Sequence, residues 1–395
     1  MDEGFWKVVE SWNYWREKPK AGVPRDVVSE AWKFTSGWEA VYFYGPRQAG
    51  KTTVCLQILE KLSRKEGRKS CLYLNLEEPA FGGKLDASLL DDAVEGFESA
   101  FGEKPKFVFL DEAQNLRSWE KWVRVAVDKR LFKVFVTGSN SRLLSSEFST
   151  SLGGRGVGFQ VLPFSFKEFK LVHANASVED YLQTGGYPAV VLDKDAERRR
   201  RLLQEYFETA VARDIVARYG VRDAQALRTL AAYVLTNAGK PFSFNKLRAA
   251  TGLSFEAIKQ YLGFLQDAFV IFEVPVLSYS LKKSLEKPRK YYAFDLGLQS
   301  AVSKSLSPDW GRRAENAVAI ELKRRMREVY YYSNGLEVDF VAKDGLELTA
   351  INVCYSDEPP EREEKSLQQF AASHKNARQT LLDKTGLKKW LLQDS

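Results

Sequence analysis

The chain has 395 residues, 44% hydrophobic and 28% charged, with a formal net charge of +7, the balance of a soluble globular protein long enough for two or three domains. No run approaches the ~18 apolar residues of a membrane-spanning helix, and the acidic, aromatic start MDEGFWKVVE does not read as a secretory signal. Three dispersed cysteines and two histidines exclude a disulfide framework and a His-based metal centre, which fits a reducing cytoplasm.

The first strong element is AVYFY at 40–44, a buried-strand pattern that runs into Gly45-Pro46-Arg47-Gln48-Ala49-Gly50-Lys51-Thr52-Thr53. The helical pattern that follows is closed by Gly67. Gly45, Gly50, Lys51 and Thr52 satisfy G-x-x-x-x-G-K-[ST] in its proper strand–loop–helix setting. Glycines let backbone N–H groups turn around phosphate oxygens at the positive end of the helix. Lys51 would reach the β- and γ-phosphates of ATP, and the Thr52 hydroxyl would sit on Mg²⁺.

CLYLNLEEP (71–79) supplies another strand, and KPKFVFLDEAQNL (104–116) an apolar run ending in Asp111 and Glu112. Two acids at the C-terminal edge of a parallel strand stand where such sheets bind ligands. Asp111 would hold the Mg²⁺ water shell and Glu112 would orient the attacking water. A helix at 118–130 leads to KVFVTGSNS (133–141), where Ser139 and Asn140 are placed to contact the γ-phosphate or the water. This alternation predicts an α/β fold, a P-loop NTPase sheet of parallel strands with helices on both faces. Beyond it, Arg155 sits among Gly153, Gly154, Gly156 and Gly158. Its guanidinium would complete the charge clamp on the transferred phosphoryl group, from this chain or from a neighbouring copy.

From 165 to 220 the pattern is helical, interrupted by GGYP at 185–188, and its long amphipathic part (197–220) ends at Gly220. Taken together, GPRQAGKTT, FLDEAQNL, VTGSNS, SLGGRG, PFSFKEF and YLQTGGYPAVV resemble the archaeal and bacterial AAA+-type ATPases whose C-terminal part is a domain of unknown function, DUF4143. The likeness runs over roughly 20 to 355. It implies a P-loop ATPase core (1–164), a helical lid (165–222), a winged helix (223–308) and a small restriction-endonuclease-like α/β domain (309–395). DEAQ at 111–114 looks like a helicase box, but nothing after residue 165 repeats the strand–loop–helix pattern that a second helicase lobe requires.

Helical patterns at 243–252 and 254–268, joined at Gly252, have helix-turn-helix spacing, and two apolar stretches around YSLKKSLEKP follow. Residues 281–330 carry 12 Lys or Arg against 6 Asp or Glu, almost the whole positive excess. Lys259 and Gln260 on the second helix, with Lys282, Lys283, Lys287, Arg289 and Lys290 on or near the wing, are therefore the candidate contacts to double-stranded DNA. Packing against a protein partner is the other use of such a module.

The last part resembles a PD-(D/E)xK nuclease core. Glu315 on a helix and Asp339 on a strand match its acids, while the acid-x-Lys positions fall on Asn352 and Cys354. Asparagine is a weaker ligand than carboxylate, and cysteine supplies no ammonium. The expectation is a nuclease-like fold without nuclease activity, on a cytoplasmic, Mg²⁺-dependent ATPase that can form homo-oligomers. A nucleotide-gated switch recruiting a protein, and an ATP-controlled DNA nuclease, are the competing readings.

Overall fold

Side chains alternate along the apolar runs of the first 161 residues, and that alternation decides which face of the sheet each one buries. The computed structural model describes residues 3–18, 21–81, 86–138, 152–278, 287–303, 309–326, 328–375 and 377–393. The chain divides into two units, Met1–Val161 and Leu162–Ser395.

In the first unit, β1 (Ala40–Tyr44), β2 (Cys71–Asn75), β3 (Phe107–Asp111), β4 (Lys133–Gly138) and β5 (Gly156–Gln160) form one sheet in the order β2-β3-β4-β1-β5. Every pairing in it is parallel. Val41, Phe43, Tyr73, Phe109 and Phe135 pack with residues of helix Lys51–Glu66. Leu72, Leu74, Val108, Leu110, Val134 and Val136 pack on the other face with helices Ser88–Phe101 and Trp119–Asp128. Burial on both faces is what made these strands read as continuous apolar runs. Burying each large side chain contributes about 1.5–3 kcal/mol before entropy is counted. Register places Asn75 beside Asp111, Leu110 beside Val136, and Tyr44 beside Gly138. The strand ends that matter chemically therefore share one edge.

The second unit opens with helices Phe166–Val172 and Val178–Thr184, each started by a serine capping box. The GGYP turn follows, and its glycines are demanded by contact. A Cβ on Gly186 would lie 2.3 Å from the Phe164 carbonyl oxygen. The Gly186 N–H donates to the buried Asp295 carboxylate at 2.7 Å. The amphipathic pattern at 197–220 forms helix Ala196–Thr209, a π-helical stretch Ala210–Val216 and a last turn Ala217–Tyr219.

Helices Ala224–Thr236, Phe244–Thr251 and Phe255–Asp267 come next. With them goes an antiparallel sheet in the order β6-β8-β7, formed by β6 (Pro241–Phe242), β7 (Ile271–Val274) and β8 (Arg289–Ala293). The C-terminal sheet consists of β9 (Glu328–Asn334), β10 (Leu336–Asp344), β11 (Glu347–Val353) and β12 (Arg378–Leu382), with β12 parallel to β11 and the other pairs antiparallel. Helix Trp310–Arg325 ties this part to β8, because fully buried Asn316 exchanges hydrogen bonds with the Ala293 N–H and C=O at 2.9 and 3.0 Å. The segment after β7 also pairs with β9, through Leu277 N–H to Tyr331 C=O at 2.7 Å.

Candidate active site

Helix Lys51–Glu66 begins at Gly50, whose φ of 94° is a left-handed conformation that glycine adopts without penalty. Gly45 is required for another reason: a Cβ there would lie 2.1 Å from the Val161 carbonyl oxygen at the end of β5. The Lys51 ammonium is buried and donates to the carbonyls of Gly45 and Pro46 at 3.2 and 2.9 Å. Arg25, itself buried, donates to the Ala49 carbonyl at 2.7 Å and braces the loop from the N-terminal segment. Arg47 lies 4.0 Å from Glu77.

Asp111 is 3% exposed and takes three hydroxyl donors. Thr52 and Tyr73 donate to Oδ2 at 2.8 and 2.6 Å, and Thr137 donates to Oδ1. Burial raises the Asp111 pKa, against the lowering effect of the Thr137, Tyr73 and Thr52 hydroxyls. The same burial, with the Asp111 charge beside it, lifts the Tyr73 phenol well above its ordinary range. Glu112 has a left-handed backbone with φ 55°. Its N–H donates to Thr137 Oγ1 at 2.9 Å, and its carboxylate accepts from the Gln114 amide.

A glycine-bounded loop, a buried lysine directed at its carbonyls, and a hydroxyl touching a carboxylate form a donor set that suits a triphosphate with a hard divalent cation. Gly45, Gly50, Lys51, Thr52, Asp111 and Glu112 are thus brought to one sheet edge. Pro46, Arg47, Gln48 and Ala49 form the loop between the glycines, and Thr53 enters the helix behind Thr52. Ser139 and Asn140 lie outside the described residues. Thr137, two residues earlier, is the β4 group seen to touch both acids. Tyr73, Thr137 and Arg25 are the residues that sequence reasoning missed. A polar residue closing an apolar strand signalled Thr137, and nothing local signalled the other two.

Arg155 requires a correction. Its carbonyl accepts the Ala40 N–H at 2.8 Å, so it stands beside the N-terminal end of β1. The phosphate loop leaves the other end, after Tyr44, about 13 Å away at ~3.3 Å per residue. Its guanidinium pairs with Asp128 instead. The direction of the strand thus keeps the Arg155 guanidinium at the sheet end opposite the phosphate loop of its own chain.

In the second unit, Lys259 and Gln260 are exposed on helix Phe255–Asp267. Lys282 and Lys283 lie outside the described residues. Lys287 is exposed and donates to the Ser333 carbonyl at 3.3 Å, while Arg289 pairs with Glu273 at 2.7 Å. Lys290 requires a second correction: it does not face solvent on a wing but is 1% exposed, held by Glu315, Glu337 and Asp339. Burial opposes its charge, yet Glu315, Asp339 and Glu337 outweigh that and hold its pKa above the usual lysine value. Asn352 is committed to the fold, accepting the Asp339 N–H at 3.1 Å and donating to Glu363 and Ser366. Cys354 is half-buried and, by that burial, less acidic than an ordinary thiol. Among the described residues no group of three or more His, Cys, Asp or Glu is placed to hold a metal ion, and no helix is long and apolar enough to cross a membrane.

The five-stranded parallel sheet, its glycine loop and the acids at the neighbouring strand end define an AAA-type P-loop ATPase-like fold. Residues 38–170 match the AAA domain family, 175–309 a domain of unknown function (DUF8612), and 310–394 the domain of unknown function DUF4143. An uncharacterized protein of Methanocaldococcus jannaschii is 31% identical over 79% of this chain and 74% of its own length. One of Haemophilus influenzae is 29% identical over 79% and 81%. The chain belongs to this archaeal and bacterial family, in which an AAA-type P-loop domain is followed by a C-terminal DUF4143 domain. Among solved structures it is similar to the Aeropyrum pernix Orc1 protein in complex with DNA, with TM-score 0.34 and 15% identity over 75% of this chain and 95% of that one. It is also similar to AMPPCP-bound DnaA from Aquifex aeolicus, with TM-score 0.32 and 14% identity over 65% and 91%. Likeness at this level concerns the fold alone.

Proposed function

We propose that the chain binds ATP with magnesium in the glycine loop and hydrolyses its terminal phosphoanhydride bond, and that the second unit uses this cycle to change its grip on duplex DNA or on a protein. The observation that carries the reading is the 2.8 Å contact of the Thr52 hydroxyl with the Asp111 carboxylate, beside a buried Lys51. Thr52 and Asp111 would hold the ion and its water shell, and Lys51 would exchange the loop carbonyls for phosphate oxygens. Magnesium, when bound, would offset the charge of the phosphate oxygens. Thr137 fixes the Glu112 main chain, and the Glu112 carboxylate orients the attacking water once it leaves the Gln114 amide. That amide contact also favours the second reading, a slow nucleotide-gated switch, because it keeps Glu112 engaged in the absence of substrate.

We read the helices Phe244–Thr251 and Phe255–Asp267 with the β6-β8-β7 sheet as a winged helix. Exposed Lys259, Gln260 and Lys287 support contact with a nucleic-acid backbone, which would weaken steeply with salt. Phosphate release measured with and without Mg²⁺ and random duplex tests both halves of the proposal. Lys51→Ala should lose nucleotide binding or turnover. Glu112→Gln should keep ATP and turn over roughly 100-fold more slowly. Normal hydrolysis by Lys51→Ala would sink the site assignment.

A further inference from the structure

The nuclease-like part of the second unit lacks an acid-x-Lys pair in its own sheet, yet an ammonium does stand among its acids. It arrives from β8, outside the segment that carries the resemblance. Lys290 Nζ lies 2.8 Å from Glu337 Oε1, 3.1 Å from Glu315 Oε1 and 3.5 Å from Asp339 Oδ1. An ammonium has three N–H donors, and three carboxylates surround it.

We propose that Lys290 is a resident cation: its ammonium takes the place a divalent metal holds in a nuclease-type carboxylate site, and it joins β8 to helix Trp310–Arg325 and β10 in place of cutting phosphodiesters. Further donors reach two of these acids. Tyr292 donates its hydroxyl to Glu315 Oε1 at 2.7 Å, and the Val353 N–H donates to Asp339 Oδ2 at 3.0 Å. The backbone crowds the Glu315 carboxylate as well, since a Cβ on Gly239 would lie 3.0 Å from Glu315 Oε2. Asn352, which would have supplied a third strand ligand, spends its amide on Glu363 and Ser366. The Tyr331 ring lies 5.6 Å from the ammonium and completes its surroundings.

These residues do not fit a hydrated divalent ion. A hard cation needs six or more oxygens at roughly 2.0–2.6 Å, with several left to water. Here the centre is occupied, and the oxygens stand at ammonium distances. An ion pair this buried is also costly to halve, because removing one partner leaves the others charged and desolvated.

The test is thermal unfolding of the full chain without nucleotide, in EDTA and in millimolar calcium or magnesium. The wild type should melt at the same temperature in all three. Lys290→Met should melt roughly 10 °C lower in EDTA and recover part of that loss in calcium, because the vacated centre then offers three carboxylates to a cation. If Lys290→Met does not accumulate folded, refolding it from urea in calcium against EDTA reads the same difference. A wild-type melting temperature that rises with divalent cation, with the rise lost in Asp339→Asn, would restore a true metal site and overturn the proposal. So would a Lys290→Met chain as stable as wild type, or one that is destabilised yet indifferent to calcium.

Discussion

The hydroxyl of Tyr73, on β2, donates to Asp111 Oδ2, on the neighbouring β3, at 2.6 Å. Both residues are buried, and the same oxygen takes the Thr52 hydroxyl. Tyr73 therefore aims the carboxylate without belonging to any phosphate-binding motif. Tyr73→Phe keeps the ring and removes the donor. The apparent Mg²⁺ requirement of ATP turnover should rise about 10- to 100-fold, the usual cost of losing a partner of a metal-binding group, with little change in melting temperature. Magnesium titration of the ATPase rate decides it, and an unchanged midpoint refutes the role.

Arg155 stands beside the strand end opposite the phosphate loop and pairs with Asp128. At limiting dilution, Arg155→Ala should leave turnover within about twofold of wild type, and the exposed ion pair it loses is worth under about 1 kcal/mol. Any larger loss should emerge only as protein concentration rises, which rate measurements over a dilution series would reveal.

Gly186 has no room for a side chain against the Phe164 carbonyl. Gly186→Ala should destabilise the second unit by about 3 kcal/mol through overpacking. Denaturant unfolding should record this as a lower midpoint, while nucleotide binding by the first unit persists.

Lys133 on β4 is 4% exposed, and burial lowers its pKa from 10.5 to about 8, with Glu39 opposing. Its folded value lies below its unfolded value, so the folded state binds the proton less well. The cost is fully present below pH 8 and disappears as pH rises towards 10.5. Lys133→Met should thus raise the melting temperature by a few degrees at pH 7, with the gain shrinking by pH 10. Equal shifts at both pH values would contradict the argument.

Much of the first unit was legible because its signals are local. Four apolar runs separated by helical patterns can satisfy themselves only as a parallel sheet covered on both faces, whereas β5 fell in the glycine-rich stretch around Arg155 and was not read as a strand. A glycine-bounded loop between strand and helix can be recognised from nine consecutive residues. Ser139 and Asn140 were chosen by the same local logic and lie outside the described residues, while Thr137, two positions earlier on β4, touches Asp111. Arg155 was left open between its own chain and a neighbouring copy for a related reason. Its glycine-rich surroundings signalled a loop, but not the edge of the sheet on which that loop lies.

The amino-acid order by itself determined the phosphate loop, the acids at 111 and 112 and the strand–helix alternation, since each depends on backbone geometry or periodicity within a few residues. Only the tertiary structure decided which charges meet. Tyr73 reaches Asp111 across 38 positions, and Lys290 reaches Glu315 and Asp339 across 25 and 49. Such pairs form where buried charge has no water to solvate it and must find a partner, and the partner is whatever the fold brings within about 3 Å, not what lies next along the chain.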